Sequence, residues 1–147
     1  MSIGSGQLIE HFRRIHLERM QGLPFLNPAL EIQAVGFRDL EEHRLGVLIT
    51  PWFMNLVLLP GTDEWHTRDQ GARIHIVLPA EGIDFNVTHD EVLGTYLTAV
   101  LFRTVSDFPD QDTAVAIAAD IMVSLFEAPE PEPETRLSRR ELFTRGD

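Results

Sequence analysis

The sequence contains no cysteine and no lysine. The first absence excludes disulfides, a thiolate nucleophile and any cysteine-held zinc or iron–sulfur centre. The second excludes a Schiff base or a phosphate-loop lysine, and it makes all twelve basic residues arginine. No apolar run approaches the roughly 18 residues that cross a bilayer. Met1–Gly6 lacks the basic and apolar regions of a secretory signal, so a soluble, cytoplasmic protein without membrane insertion is expected. Nucleophile-elbow, glycine-rich phosphate-loop and H-E-x-x-H patterns are also missing. Asp63–Glu64 and the acids Asp107, Asp110 and Asp112 read as loop and capping residues, and no enzyme activity is expected.

Positive charge is scarce and unevenly placed. A net charge of -11 argues against a nucleic-acid partner, which needs a basic stripe to displace counterions. Asp107–Glu134 holds eight acidic residues and no basic one, whereas Thr135–Asp147 holds four arginines against two acids. The six histidines, His11, His16, His43, His66, His75 and His89, show no metal-binding spacing, and no metal or cofactor is expected.

Apolar residues at Leu8, Phe12 and Ile15 predict an amphipathic helix over Gln7–Met20, with Ser5 as its N-cap. Gly22 and Pro24 stop it. Leu30–Phe37 and Arg44–Thr50 read as the strands of a hairpin. After Pro51 the apolar run Trp52–Leu59 resumes, and the proline suggests an edge strand or a bulge. Arg73–Leu78, Ile83–Val87 and Thr95–Phe102 are further strands. Asp110 or Asp112 caps a helix to Phe126 with Val115, Ala119, Met122 and Phe126 as its buried stripe. The expected fold is α+β: a mostly antiparallel sheet of five to six strands with an N-terminal and a C-terminal helix packed on it. It forms one globular domain over 1–127. Ala128–Glu134, A-P-E-P-E-P-E, follows as an extended spacer, and 135–147 as a basic tail.

The stretch Gly46–Gly61 is the most apolar of the chain. Its aliphatics, Val47–Ile49 and Leu56–Leu59, read as core. Pro51, Trp52, Phe53, Met54 and Asn55 are harder to bury together, because neighbours on a strand face opposite ways. An exposed large aromatic forgoes several kcal/mol, at about 25 cal/mol per Å² over roughly 150–250 Å². A partner surface recovers that loss, so these five are the candidate contact residues, with Phe25 and Trp65 beside them.

Three blocks carry a resemblance: Leu23-Pro24-Phe25-Leu26-Asn27-Pro28-Ala29-Leu30, Ala34-Val35-Gly36-Phe37, and Leu45–Gly61 with its T-P-W-F-M-N centre. Together with Gly94-Thr95-Tyr96-Leu97 and Asp112–Phe126, they make the chain similar to the HybE/HupJ family of nickel–iron hydrogenase accessory proteins. The resemblance implies a non-catalytic assembly chaperone that binds a subunit precursor before export. The implied client is the small subunit with its twin-arginine signal, with the large subunit and other accessory proteins as further partners. A metal-delivery or structural accessory protein is the alternative. Some relatives carry a rubredoxin-type iron module, which a cysteine-free chain cannot hold. In the tail, Ser138, Arg139, Arg140, Leu142 and Phe143 form S-R-R-x-L-F, close to the twin-arginine pattern with its two apolar residues exchanged. Two readings fit it: a solvated basic tail, or an imitation of the client's signal.

Overall fold

A computed structural model describes residues 4–127; the spacer 128–134 and the tail with Ser138–Phe143 lie outside the described residues. Helix α1, Ser5–Ile15, runs into a π-helical turn, His16–Met20. Six strands follow: β1 Gln33–Leu40, β2 His43–Thr50, β3 Phe53–Leu59, β4 Arg73–Val77, β5 Gly82–Asp90 and β6 Gly94–Phe102. Helix α2, Gln111–Phe126, comes last. They form one sheet of order β1-β2-β3-β6-β5-β4 with every neighbouring pair antiparallel. The α+β architecture is therefore as expected, with six strands.

The apolar content of β2 and β3 is explained by burial on both faces. On β3, Met54, Leu56 and Leu58 point into a core with β5, β6 and α2, while Phe53, Val57 and Leu59 join a second cluster with Leu8, Tyr96 and Phe12. The two helices thus cover opposite faces, α2 over one and α1 over part of the other. β1 bends at a bulge between Val35 and Arg38, where Gly36 takes φ 68. There the Phe37 ring lies over Gly46, in the space a Cβ would fill.

Three local expectations are corrected. Gly4, not Ser5, is the N-cap of α1, and the Gln7 side chain reaches back to accept from the Gly4 N–H at 2.9 Å. Pro51 interrupts no ladder: Thr50 pairs with Phe53, so Pro51 and Trp52 form the two-residue turn between β2 and β3, and β3 is an interior strand. The buried stripe of α2 is Ala114, Ala118, Met122 and Leu125. Only Met122 belongs to the expected set; Val115, Ala119 and Phe126 flank it half-buried. The small alanines bring α2 close to the sheet, where Met122 Cγ lies 3.0 Å from the place a Cβ on Gly36 would occupy. Asp110 caps this helix, accepting from the Thr113 N–H at 2.8 Å, and hydrogen bonds from Thr113 hold its carboxyl below the ordinary range.

Candidate interaction surface

Thr50 shapes the turn that presents Trp52. Its hydroxyl oxygen accepts from the N–H groups of Trp52 at 3.1 Å and Phe53 at 2.9 Å, and its own proton goes to the Phe53 carbonyl at 3.2 Å. This local side-chain bonding lets a proline-containing turn close tightly between two long strands. Thr50 is fully enclosed.

A second organiser is Asn27. Its backbone N–H donates to the Pro51 carbonyl at 2.8 Å, which seats the loop 21–32 against the β2–β3 turn. Its side-chain amide donates to the carbonyls of Val105 at 2.8 Å and Phe108 at 2.9 Å, while Oδ1 accepts from the Ala29 N–H at 2.9 Å. One buried residue thereby joins three segments far apart in sequence. It also holds the Leu23–Leu30 block against the T-P-W block.

The aromatic residues gather above this junction. The Phe12 ring lies 6.4 Å from Trp52 and 5.8 Å from Phe53, and His16 lies 5.7 Å from Trp52. Trp52 and Phe53 remain half-buried. Alongside runs a groove of about 400 Å³ lined by His16, Leu23, Leu26, Pro28 and Pro51 among others. Leu17 and Phe25, next in sequence to lining residues or between them, are exposed to 65% and 57%.

Two of the sequence candidates leave this surface. Met54 is fully buried on the opposite face of the sheet, because it alternates with Phe53. Trp65 is 6% exposed and packs 4.7 Å from His43, in the α2-side core rather than beside Trp52. Pro51 is buried within the turn, and Asn55 is half-buried on the Phe53 face with its Oδ1 enclosed and unpaired among the described residues. Pro51, Trp52, Phe53 and Asn55 thus stay on the β2–β3 turn and the Phe53 face, and Phe25 lies exposed in the loop that Asn27 ties to Pro51.

Sequence reasoning missed His11. It is buried on α1, and its Nε2 meets Asp90 Oδ2 at 2.9 Å, pinning the helix to the β5–β6 turn. Asp90 Oδ1 accepts from the N–H groups of Val92 and Leu93 at 2.7 and 2.9 Å. Burial pushes the Asp90 carboxyl up, but these backbone bonds together with His11 outweigh it and hold it below the usual carboxylate range. Burial first, and then the charge of Asp90, pushes the Tyr96 phenol up to about 12. Hydrophobic periodicity marked only Leu8, Phe12 and Ile15, and it carries no signal for a polar clamp between residues 79 positions apart. Among the described residues, no group of three or more His, Asp or Glu is placed to hold a metal ion.

Comparison with known proteins agrees with this architecture. Residues 4–145 match the family model described as "[NiFe]-hydrogenase assembly, chaperone, HybE". The hydrogenase expression/formation protein HupT of Azotobacter chroococcum is 40% identical over 143 residues, covering 97% of this chain and 95% of that protein. The probable rubredoxin HupJ of Rhodobacter capsulatus is 39% identical over 122 residues, covering 82% of this chain but 44% of that protein. The solution structure of HybE from Escherichia coli superposes with a TM-score of 0.67 at 25% identity, over 90% of this chain and 83% of that one. The chain belongs to the HybE family of nickel–iron hydrogenase assembly chaperones.

Proposed function

We propose that this chaperone works in the cytoplasm by holding a hydrogenase subunit precursor on the ledge formed by Trp52, Phe53 and Phe25, before the subunit is exported. The client that fits best is the small subunit with its twin-arginine signal, whose apolar stretch matches the groove beside Pro51. The observation that carries this reading is the hydrogen bond from Asn27 to Pro51. It fixes two apolar segments side by side while Trp52 and Phe53 stay half-exposed and Phe25 exposed, so that a partner would bury apolar surface the lone domain leaves in water. In the tail, Ser138, Arg139, Arg140, Leu142 and Phe143 imitate that signal. The reading is of a binding protein without catalysis, since the ledge is apolar and His16 is the single titratable residue among those lining the groove.

Capture of the small-subunit precursor, with and without its signal, on full-length protein tests this. Trp52→Ala should stay folded and lose most of the precursor. Phe25→Ser, at a site already in water, should weaken capture without touching stability. If both variants fold and hold the precursor as the parent does, the ledge is not the grip.

A further inference from the structure

The two helices are held in opposite ways. α2 buries Ala114, Ala118, Met122 and Leu125 and is tied down at both ends. Its Gln111 side chain accepts from the Glu31 N–H at 2.9 Å and donates to Gln33 Oε1 at 2.8 Å, and the Leu125 carbonyl accepts from the Ala80 N–H at 3.1 Å. α1 buries only Leu8 and His11. Among the described residues, the bond between His11 and Asp90 is the single hydrogen bond that joins α1 to the sheet. Even that bond leaves His11 Nδ1 enclosed without a partner among the described residues.

After Ile15 the chain passes into the π-helical turn His16–Met20, a rare backbone geometry that recurs at functional sites. With 11 residues, α1 is also shorter than the roughly 12–15 that sustain a lone helix in water, so off the sheet it melts.

The sheet does not need α1 for its backbone pairing. Leu8 packs in one cluster with Leu48, Val57 and Tyr96, which stand on β2, β3 and β6. Each of those strands has a paired neighbour on both sides. Lifting α1 therefore bares apolar side chains but leaves no backbone group of these strands unpaired. The same cluster takes in Phe12, Trp52 and Phe53 as partly buried members, so the covered face and the Trp52 ledge are one surface.

A helix already fits this face. α1 lays Leu8 and Phe12, one turn apart, against the cluster, while Glu10, Arg13 and Arg14 stay in water. A partner helix with the same apolar spacing and a polar back fits the same seat.

We propose that α1 is a displaceable strap, occupying the seat of an amphipathic helix of the client until that helix takes its place. The inference rests on the reading of the Trp52 ledge as the grip. The strap covers the apolar face in the empty chaperone, and the client, by binding the open form, shifts the chain toward it.

Hydrogen exchange of the full chain, with no client, tests the strap itself. Amides of residues 9–15 should exchange about tenfold or more faster than those of β3 and β6. Asp90→Asn turns an amide N–H toward His11 Nε2 and drives the ring proton onto the enclosed Nδ1. It should speed exchange in α1 further and leave β3 and β6 unchanged, which also shows that the variant is folded. Leu8→Ala loosens the strap through a different contact and should act alike.

A synthetic peptide of residues 4–20 probes the seat. It should shift the Trp52 indole N–H signal, leave that of Trp65 in place and compete with precursor capture. It should bind Asp90→Asn about threefold or more tighter than the parent, because the open fraction scales the apparent affinity. Amides of α1 as protected as those of β3, or equal peptide affinity for parent and variant, would falsify the strap. Precursor capture that falls in Asp90→Asn and Leu8→Ala makes α1 part of the grip and overturns it as well. A precursor that ignores both the peptide and Trp52→Ala overturns the client as occupant, and the fault then lies with the ledge and not with the strap.

Discussion

Replacing Asn27 by alanine removes two side-chain hydrogen bonds to the carbonyls of Val105 and Phe108 and one from the Ala29 N–H. At about 0.5–1.5 kcal/mol net for each bond, the loss is about 3 kcal/mol. Against a typical domain stability of about 5–15 kcal/mol, the variant still folds but with a much smaller margin. Asn27→Asp is the sharper test. It keeps the shape and the bond from Ala29, but turns a carboxylate oxygen toward two carbonyl oxygens in a site 7% exposed. Burial and those oxygens would raise its folded pKa above the ordinary value. The variant should then be crippled at pH 7 and regain stability relative to the parent as pH falls through that raised pKa and the carboxyl picks up a proton. Urea denaturation followed by tryptophan fluorescence, at pH 7 and again near pH 5, reads both effects. An alanine cost under about 1 kcal/mol, or an aspartate tolerated equally at both pH values, would refute the role given to this residue.

Thr50→Val keeps the shape of a β-branched side chain but strands two N–H groups, and urea midpoints should report a loss of about 2–3 kcal/mol. Met54→Ala should cost about 2–5 kcal/mol as a core cavity while leaving precursor capture per folded molecule unchanged; lost capture at intact stability would return Met54 to the interface. Gly46→Ala places a methyl in the Phe37 ring, and thermal unfolding should show a loss of about 1–3 kcal/mol. Because the Asp90 pKa is lowered on folding, its contribution is complete above the ordinary carboxylate value and fades as pH falls through the lowered one. The stability gap between parent and Asp90→Asn should therefore close in acid; a gap constant from pH 7 to pH 2 contradicts the clamp.

Much of the fold was legible because its signals are local. Alternation and turn residues placed the strands, and the continuous apolar run of β2 and β3 correctly read as burial. The same run misled about Met54, since size and hydrophobicity do not reveal which face of a strand a side chain takes, and Trp65 misled because a loop position does not reveal that its ring turns into the core. The α2 stripe was misplaced by one residue for a related reason: a helix this rich in Ala, Val and Ile has several faces that could serve as core, and only the close approach at Gly36 selects among them. Pro51 suggests an edge strand or a bulge in the sequence because the turn depends on a threonine hydroxyl whose partners are the backbone N–H groups of Trp52 and Phe53, which carry no residue-type signal. The Asn27 network was invisible, as its carbonyl acceptors carry no residue-type signal at all.

The sheet order has a consequence for how the molecule comes apart. β1-β2-β3 and β6-β5-β4 are two three-stranded meanders, joined along the sheet only by the β3–β6 pairing. Each is clasped by the helix from the other end of the chain: α2 lies on β1 and β2, and α1 reaches the β5–β6 turn through His11 and Asp90. Neither meander can cover its own faces alone, so the halves should melt together in one cooperative transition. Folding should wait on the slow closure that brings β6 to β3. A single cut in the loop between β3 and β4 would then leave two fragments that stay interlocked, and this makes the loop a natural place to split the chaperone into a complementing pair.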